Sequence, residues 1–315
     1  MMHNTGFYLL ASCIVHPMSN HIAIILIALG GPRSLDEVGP FMAAFMGRPA
    51  PPPVVQAVVE RYRLIGGKSP LPELVQSQAA ALEKMLGSGY RVYEGFRYSN
   101  PTVADSYERA IRDGAQRIIA LSMSPFATEV TTGAYRSACE GLGSGATCPL
   151  FIASWHNNPL FIEAWAEKVR IGLDQFPRAL RDRVSVIFTS HSIPLRYIHA
   201  GDPYQKQVEE AVRLVVGKTA LTSWRIAWQS KGARTTESWL EPEVEPTLDR
   251  LSQEGCLAVL EVPIGFTCDH METLYDIDIV HRSHAKKLGI EFVRAESLNT
   301  SPPFITALAD IVTKA

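Results

Sequence analysis

The chain has 315 residues, of which 46% are hydrophobic and 20% charged, with a net charge of -2. That apolar content can fill a sizeable core and predicts two domains of about 150 residues each, while the absence of any long basic run excludes a phosphate-tracking nucleic-acid protein. Five cysteines (Cys13, Cys139, Cys148, Cys256 and Cys268), odd in number and without C-x-x-C spacing, exclude a disulfide framework or a zinc knuckle and point to the cytosol.

Residues 6–15 are apolar, but ten residues with no preceding Lys or Arg and no small-residue cleavage pattern make neither a signal peptide nor a membrane span. Residues 1–20 are read as an N-terminal extension with no part in the chemistry. Residues 22–29 (IAIILIAL) form a continuous apolar run, the pattern of a parallel strand covered on both faces, and Gly30-Gly31-Pro32 ends it. Ser34-Leu35-Asp36-Glu37 then reads as a capping box that opens a helix.

Further strands are expected near 90–96, 117–123, 149–153, 184–189, 224–228, 256–262 and 290–293, with helical patterns between them. Strict alternation of this kind predicts an α/β protein made of doubly wound, Rossmann-like units with parallel sheets. Gly114 leads through RIIALSMS to Pro125-Phe126-Ala127-Thr128, and Gly255 leads through LAVLEV to Pro263-Ile264-Gly265-Phe266-Thr267, so one strand-loop unit is used twice or two helix-Gly-strand junctions merely look alike. The Gly-rich stretch 141–149 marks the zone of a domain boundary. Its G-x-G-x-G follows a helix and precedes a strand, the reverse of a dinucleotide fingerprint, which argues against NAD. The expected division is a first domain over 21–148, a second over 149–298 and a C-terminal helix over 299–315 that packs back on the first.

Two segments carry chemistry. His191, in Thr189-Ser190-His191-Ser192-Ile193-Pro194, ends the apolar run VSVIFTS, at the carboxyl end of a strand where open α/β sheets bind ligands. Asp269-His270-Met271-Glu272-Thr273-Leu274-Tyr275-Asp276 follows a second strand, and a helix starting near Asp269 sets Glu272 and Asp276 on one face, with Asp278 elsewhere. Nearby carboxylates resist joint ionisation unless a cation or a shared proton relieves them, which suits metal transit or proton relay. The plainer readings are that acids in a first helical turn favour the helix dipole, as Asp269 would, and that a histidine past a strand is structural. Gly201-Asp202-Pro203-Tyr204 reads as a structural turn and cap. His156, His199, His281 and His284 read as surface residues.

The sequence resembles the ferrochelatases, which insert Fe2+ into a porphyrin late in haem synthesis. The resemblance runs from about residue 22 to the C-terminus and rests on Leu29-Gly30-Gly31-Pro32, Tyr62 to Pro70, Phe96-Arg97-Tyr98, Thr131-Thr132-Gly133, Ser190 to Pro194, Gly201 to Tyr204, Trp228-Gln229-Ser230, Trp239-Leu240, Pro263 to Asp278 and Ser297-Leu298-Asn299. It implies two similar Rossmann-like domains with a cleft between them, His191 and Glu272 as the catalytic pair, and His191, Glu272 and Asp276 as metal-facing groups, Asp276 being on a locally widened helix. Leu29, Ser69, Arg97, Tyr98, Trp239 and Phe266 match positions that line the porphyrin pocket.

The cysteine usage makes the cytoplasm the expected compartment and nothing in the sequence requires more than a monomer; the resemblance implies porphyrin and ferrous iron as substrate partners, with transient contacts to neighbouring haem-pathway enzymes. It implies no permanently bound cofactor, no nucleic acid and no transmembrane segment. Relatives with an iron-sulfur cluster place cysteines toward the C-terminus, and none follows Cys268 here, so no cluster is expected. Some relatives carry a further acid one step beyond Asp276; Val280 stands there, and the acidic row is expected to stop short. The short 46–55 lip and the 58–79 segment resemble coproporphyrin III enzymes, whereas Leu29 and the C-terminal third resemble protoporphyrin IX enzymes. The reading adopted is protoporphyrin IX, with coproporphyrin III as the alternative. A chelatase for a more reduced tetrapyrrole and a non-catalytic porphyrin carrier are the rivals; the Asp269 to Asp278 block argues against the first and the retained His191 and Glu272 against the second.

Overall fold

The computed structural model describes residues 21–232 and 237–315, so the expected extension over 1–20 lies outside the described residues. The first half comprises β1 (His21–Ala28), a 3-10 turn (Leu35–Glu37), α1 (Val38–Met46), α2 (Pro52–Leu64), α3 (Leu71–Leu86), β2 (Tyr90–Phe96), α4 (Val103–Arg112), β3 (Ala115–Ser122), a short π-helix (Glu129–Gly133), α5 (Ala134–Cys139) and β4 (Leu150–Ile152). The second comprises α6 (Pro159–Asp174), α7 (Arg178–Arg181), β5 (Ser185–His191), α8 (Leu195–His199), α9 (Tyr204–Thr219), β6 (Trp224–Gln229), α10 (Val244–Gln253), β7 (Ala258–Val262), a longer π-helix (Glu272–His281), α11 (Arg282–Lys287), β8 (Glu291–Arg294) and α12 (Pro302–Thr313). Each strand falls within a few residues of an expected apolar run.

The strands form two four-stranded parallel sheets, ordered β2-β1-β3-β4 and β6-β5-β7-β8. The two halves therefore have the same topology, with β3 and β7 in equivalent places. Gly114 (φ 93°) and Gly255 (φ 79°) both end the preceding helix in a left-handed turn that a side chain would strain, and a π-helix follows each strand. The resemblance between the Gly114 and Gly255 segments thus reflects one unit used twice. The first sheet also takes in β4, which pairs with β3, so the boundary expected at 148/149 falls one strand too early. The Gly-rich stretch marks a break in the chain but carries no information on which sheet the next short strand will join.

Both sheets contribute to one apolar core. Ile24 and Leu26 from β1, Val186 and Phe188 from β5, Trp165 from α6 and Leu308 from α12 belong to a single buried cluster. Removing each such large side chain from water contributes about 1.5–3 kcal/mol. The C-terminal helix α12 packs against both α3 and α6. Buried Gln78 on α3 donates to the Asn299 carbonyl at 2.7 Å and to the Cys268 sulfur at 3.0 Å, tying the first half to the strand-end loops of the second.

Two local expectations fail. Ser34 makes no side-chain cap bond; the Glu37 carboxylate instead accepts the Arg33 backbone N–H at 2.8 Å, closing a turn before α1. His156 and His281 are buried rather than on the surface, because each has a carboxylate partner distant in sequence, Glu210 at 3.1 Å and Glu261 at 3.0 Å. His199 is exposed and His284 half-buried, its Nε2 2.7 Å from Asp249.

Candidate active site

His191 is the last residue of β5, and the long π-helix begins beyond the carboxyl end of the adjacent β7, so the topology brings the two chemical segments together. His191 Nε2 lies 3.4 Å from Glu272 Oε1. Its Nδ1 is 2.5 Å from the Ser192 carbonyl. A carbonyl can only accept, so Nδ1 carries hydrogen and Nε2 is the nitrogen presented to the carboxylate. The Tyr204 hydroxyl donates to the His191 carbonyl at 2.9 Å and accepts from Ser190 at 2.6 Å, fixing the strand end from behind.

The close approach of β5 to the loop after β7 needs a glycine. A Cβ on Gly265 would sit 2.8 Å from Ser190 Cα, while Gly265 N–H donates to the Thr189 carbonyl at 3.0 Å. Gly265→Ala is expected to destabilise the fold by about 1–3 kcal/mol, to lower Tm by several degrees and to displace His191. Thermal unfolding followed by circular dichroism checks this, and an unchanged Tm would show that the contact is not confining.

The π-helix is anchored at its entry. Gln229 at the end of β6 donates to the Glu272 carbonyl at 2.9 Å. Asp269 is no solvated dipole acid: it pairs with Arg294 at 2.9 Å and accepts from Ser297 and Asn299, and these partners hold its carboxyl below the usual range against the upward push of burial. Asp278 also pairs with Arg294, at 2.9 Å. Asp276 accepts from Ser230 at 2.5 Å, and burial raises its pKa.

Electrostatically the site is a coupled pair. Burial by itself lowers the His191 pKa, but the Glu272 charge and hydrogen bond outweigh it and push it up to about 9. Burial raises Glu272, and the His191 charge more than reverses this, leaving its carboxyl below the usual range. At neutral pH the pair is therefore imidazolium and carboxylate. His270, to which the sequence reading gave no role, stands with Nε2 4.0 Å from the other Glu272 oxygen; burial lowers its pKa, and its ring packs edge-on to Phe266 at 4.8 Å. Tyr62 from α2 is buried, and both burial and the Glu272 charge raise its pKa. Neither Tyr62 nor Tyr204 shows a catalytic signal in sequence, since each matters through a partner far along the chain.

The residues expected to line the pocket divide into groups. Phe266 is buried beside His270, and Trp239 lies against Gly232, where an added Cβ would touch its ring at 2.8 Å. Leu29 and Tyr98 are half-buried, with Tyr98 between the Phe45 ring and the Arg97 guanidinium, and Arg97 is exposed. Ser69 is 3% exposed and packs where a Cβ on Gly31 would sit, its N–H bonded to the Pro32 carbonyl at 2.8 Å. It braces the Gly30-Gly31-Pro32 turn. Among the described residues no three His, Cys, Asp or Glu side chains converge as a preformed metal site, so His191 and Glu272 stand as a pair with Asp276 behind them. A surface depression of about 390 Å³ is lined by Glu129, Arg136, Tyr197 and Asp202 among others and contains neither member of the pair.

Two repeated parallel-sheet halves, with an imidazole and a carboxylate facing each other at the strand ends of one, define a chelatase-type α/β protein. The fold is that of SirB from Bacillus subtilis, solved with Fe3+, at TM-score 0.57 over 93% of this chain and 95% of that one; at 12% identity the likeness is one of fold alone. The ferrochelatase family model matches residues 21–315. A ferrochelatase of Citrifermentans bemidjiense is 41% identical over 94% of this chain and 98% of its own, and a coproporphyrin III ferrochelatase of Halalkalibacterium halodurans is 32% identical over 93% and 96%. The chain belongs to the ferrochelatase family, lyases that insert metal into porphyrins. No helix among the described residues is long and apolar enough to cross a membrane.

Proposed function

We propose that the protein inserts Fe2+ into protoporphyrin IX, forming protohaem and releasing two protons, with no permanently bound cofactor. The observation that carries this reading is the 3.4 Å contact between His191 Nε2 and Glu272 in a chain of this family. A free-base porphyrin holds two inner N–H groups, and its flat ring hides the nitrogen lone pairs from an approaching ion. Each N–H bond must break with its electron pair left on nitrogen to bind iron, and the proton must go to a base. Apolar and aromatic walls such as Leu29, Tyr98, Trp239 and Phe266 can grip and bend the ring, and the exposed Arg97 guanidinium can hold a propionate.

The ion pair couples the two halves of the reaction. While Glu272 is a free anion it keeps His191 protonated, and an imidazolium can neither take a proton nor ligate iron. Fe2+ arriving on Glu272 cancels that field, the His191 pKa falls, the imidazolium gives its Nε2 proton to solvent, and the neutral Nε2 can then accept a pyrrole proton. Proton removal then waits on metal arrival. Asp276, its pKa already raised by burial, is the next group able to take a proton.

The half-buried apolar Leu29 supports the two-propionate substrate. The coproporphyrin III ferrochelatase at 32% identity keeps the four-propionate substrate as the second reading. Anaerobic turnover of Fe2+ with each porphyrin tests the assignment: at least a tenfold higher kcat/KM is expected for protoporphyrin IX, about 1.4 kcal/mol in transition-state binding, and a preference for coproporphyrin III would overturn it.

A further inference from the structure

Both members of the pair belong to the second half, yet each is also fastened to one loop of the first. The β5–β7 ladder ends at the Phe188–Val262 pair, three residues short of His191, so on that flank the strand end needs other support. Tyr204 supplies it, with its hydroxyl on the His191 carbonyl at 2.9 Å and its ring edge-on to Phe126 at 6.0 Å and tilted against Trp228 at 5.7 Å. Thr267, which leads into the Glu272 segment, donates through its hydroxyl to the Met123 carbonyl at 3.1 Å. Met123 and Phe126 both lie on the loop between β3 and the short π-helix.

Asp202 ties that loop to Tyr204. Its Oδ1 accepts from the Tyr204 backbone N–H at 3.0 Å, a local bond that closes the turn into α9. Its Oδ2 accepts from the Thr128 hydroxyl at 2.9 Å and from the Glu129 N–H at 2.8 Å. Gln207, about one turn further along, adds another bond, its Oε1 accepting from the Ala127 N–H at 2.7 Å. Three consecutive first-half residues thus point donors at two side chains around the start of α9. Closing the turn needs only one carboxylate oxygen, and water could satisfy the other. Here the second oxygen takes two donors from the opposite half, in bonds about twice as strong as neutral ones.

We propose that Asp202 and Tyr204 are positioning residues for metal insertion: they carry the register of the first-half loop to the end of β5 and so set the gap between His191 and Glu272. Thr267 references the Glu272 segment to the same loop. Residues 123–129, which include neither member of the pair, therefore act as the common gauge for both. Reacting groups must be held to within about 0.5 Å, and a misplacement of about 1 Å can cost about 10²-fold in rate. Loss of one bond of this clasp lets the strand end drift without removing a pocket wall, so the effect falls on the chemical step and not on porphyrin affinity.

This positioning role rests on the metal-insertion activity proposed above, and its test separates the two. Single-turnover metallation at saturating porphyrin and Fe2+ is measured for wild type, Asp202→Asn, Tyr204→Phe, Thr128→Val and Thr128→Ser, with porphyrin affinity and Tm alongside. Asparagine must turn its amide NH2 toward one of the donors, and phenylalanine loses only the hydroxyl. Rate constants are expected to fall about tenfold in Asp202→Asn and Tyr204→Phe and about threefold in Thr128→Val, at unchanged amplitude and porphyrin affinity, while Thr128→Ser restores the wild-type rate. Asp202→Asn combined with Thr128→Val is expected to lose no more than Asp202→Asn alone, since both break one connection. A merely structural role would lower Tm and the reacting amplitude at an unchanged rate constant; that result, or additive losses in the double variant, overturns the positioning role alone. A wild type that metallates no porphyrin overturns the proposed function and the positioning role with it. Should Asp202→Asn fail to fold, Thr128→Val against Thr128→Ser decides the question by the same rate constant.

Discussion

His191→Ala is expected to lower kcat for metal insertion by about 10³-fold while changing porphyrin affinity by less than a few-fold. The imidazole is the group at the strand end whose Nε2 faces Glu272, and its other nitrogen is occupied by the Ser192 carbonyl. The neighbours are poor replacements: burial lowers the His270 pKa and makes it a weaker base, and the Tyr204 hydroxyl is committed to the His191 carbonyl and Ser190. Affinity for the ring resides in the apolar and aromatic walls, which the substitution leaves in place. Porphyrin fluorescence quenching measures binding, and single-turnover metallation measures chemistry. A variant that metallates within threefold of wild type would sink the proposed mechanism, and one that loses binding as strongly as turnover would make His191 a pocket wall.

The fold was the more legible part of this chain because parallel strands buried on both faces appear in sequence as apolar runs, most plainly in β1 (HIAIILIA), while edge strands such as β2 (YRVYEGF) keep only part of the pattern. His191 and Glu272 were legible for the same reason, since each follows such a run. What could not be read depends on distances between segments. Burial of His156 and His281 is set by Glu210 and Glu261, which lie 54 and 20 residues away in the chain. The Ser34 cap failed because Glu37 found the Arg33 N–H instead, a competition between two equally local bonds. Residues 272–281 have the i, i+4 pattern of an ordinary helix, and the widening was implied only by family resemblance.

Glu272→Gln is expected to remove metal insertion to a similar depth, about 10²–10³-fold, and to move the His191 titration across neutrality. In wild type the Glu272 charge and hydrogen bond hold the imidazole up at about 9 against burial. With a neutral amide only the Ser192 carbonyl and the more distant Asp276 charge still favour the imidazolium. Burial then dominates, and the His191 midpoint is expected to fall below about 6.5, the ordinary histidine value. Its contribution to stability changes accordingly. A folded-state pKa above the unfolded value stabilises wild type fully below about pH 6.5, and that contribution is lost as pH rises through about 9; in the variant it is absent. NMR titration of the imidazole protons without substrate follows the midpoint directly, with urea unfolding at pH 6 and pH 10 as the stability measure. Because a strongly coupled pair titrates jointly, the decisive reading is the difference between variant and wild type. A His191 midpoint that stays alkaline in Glu272→Gln would mean that another anion holds the imidazolium, and iron arriving at Glu272 would then no longer release the base.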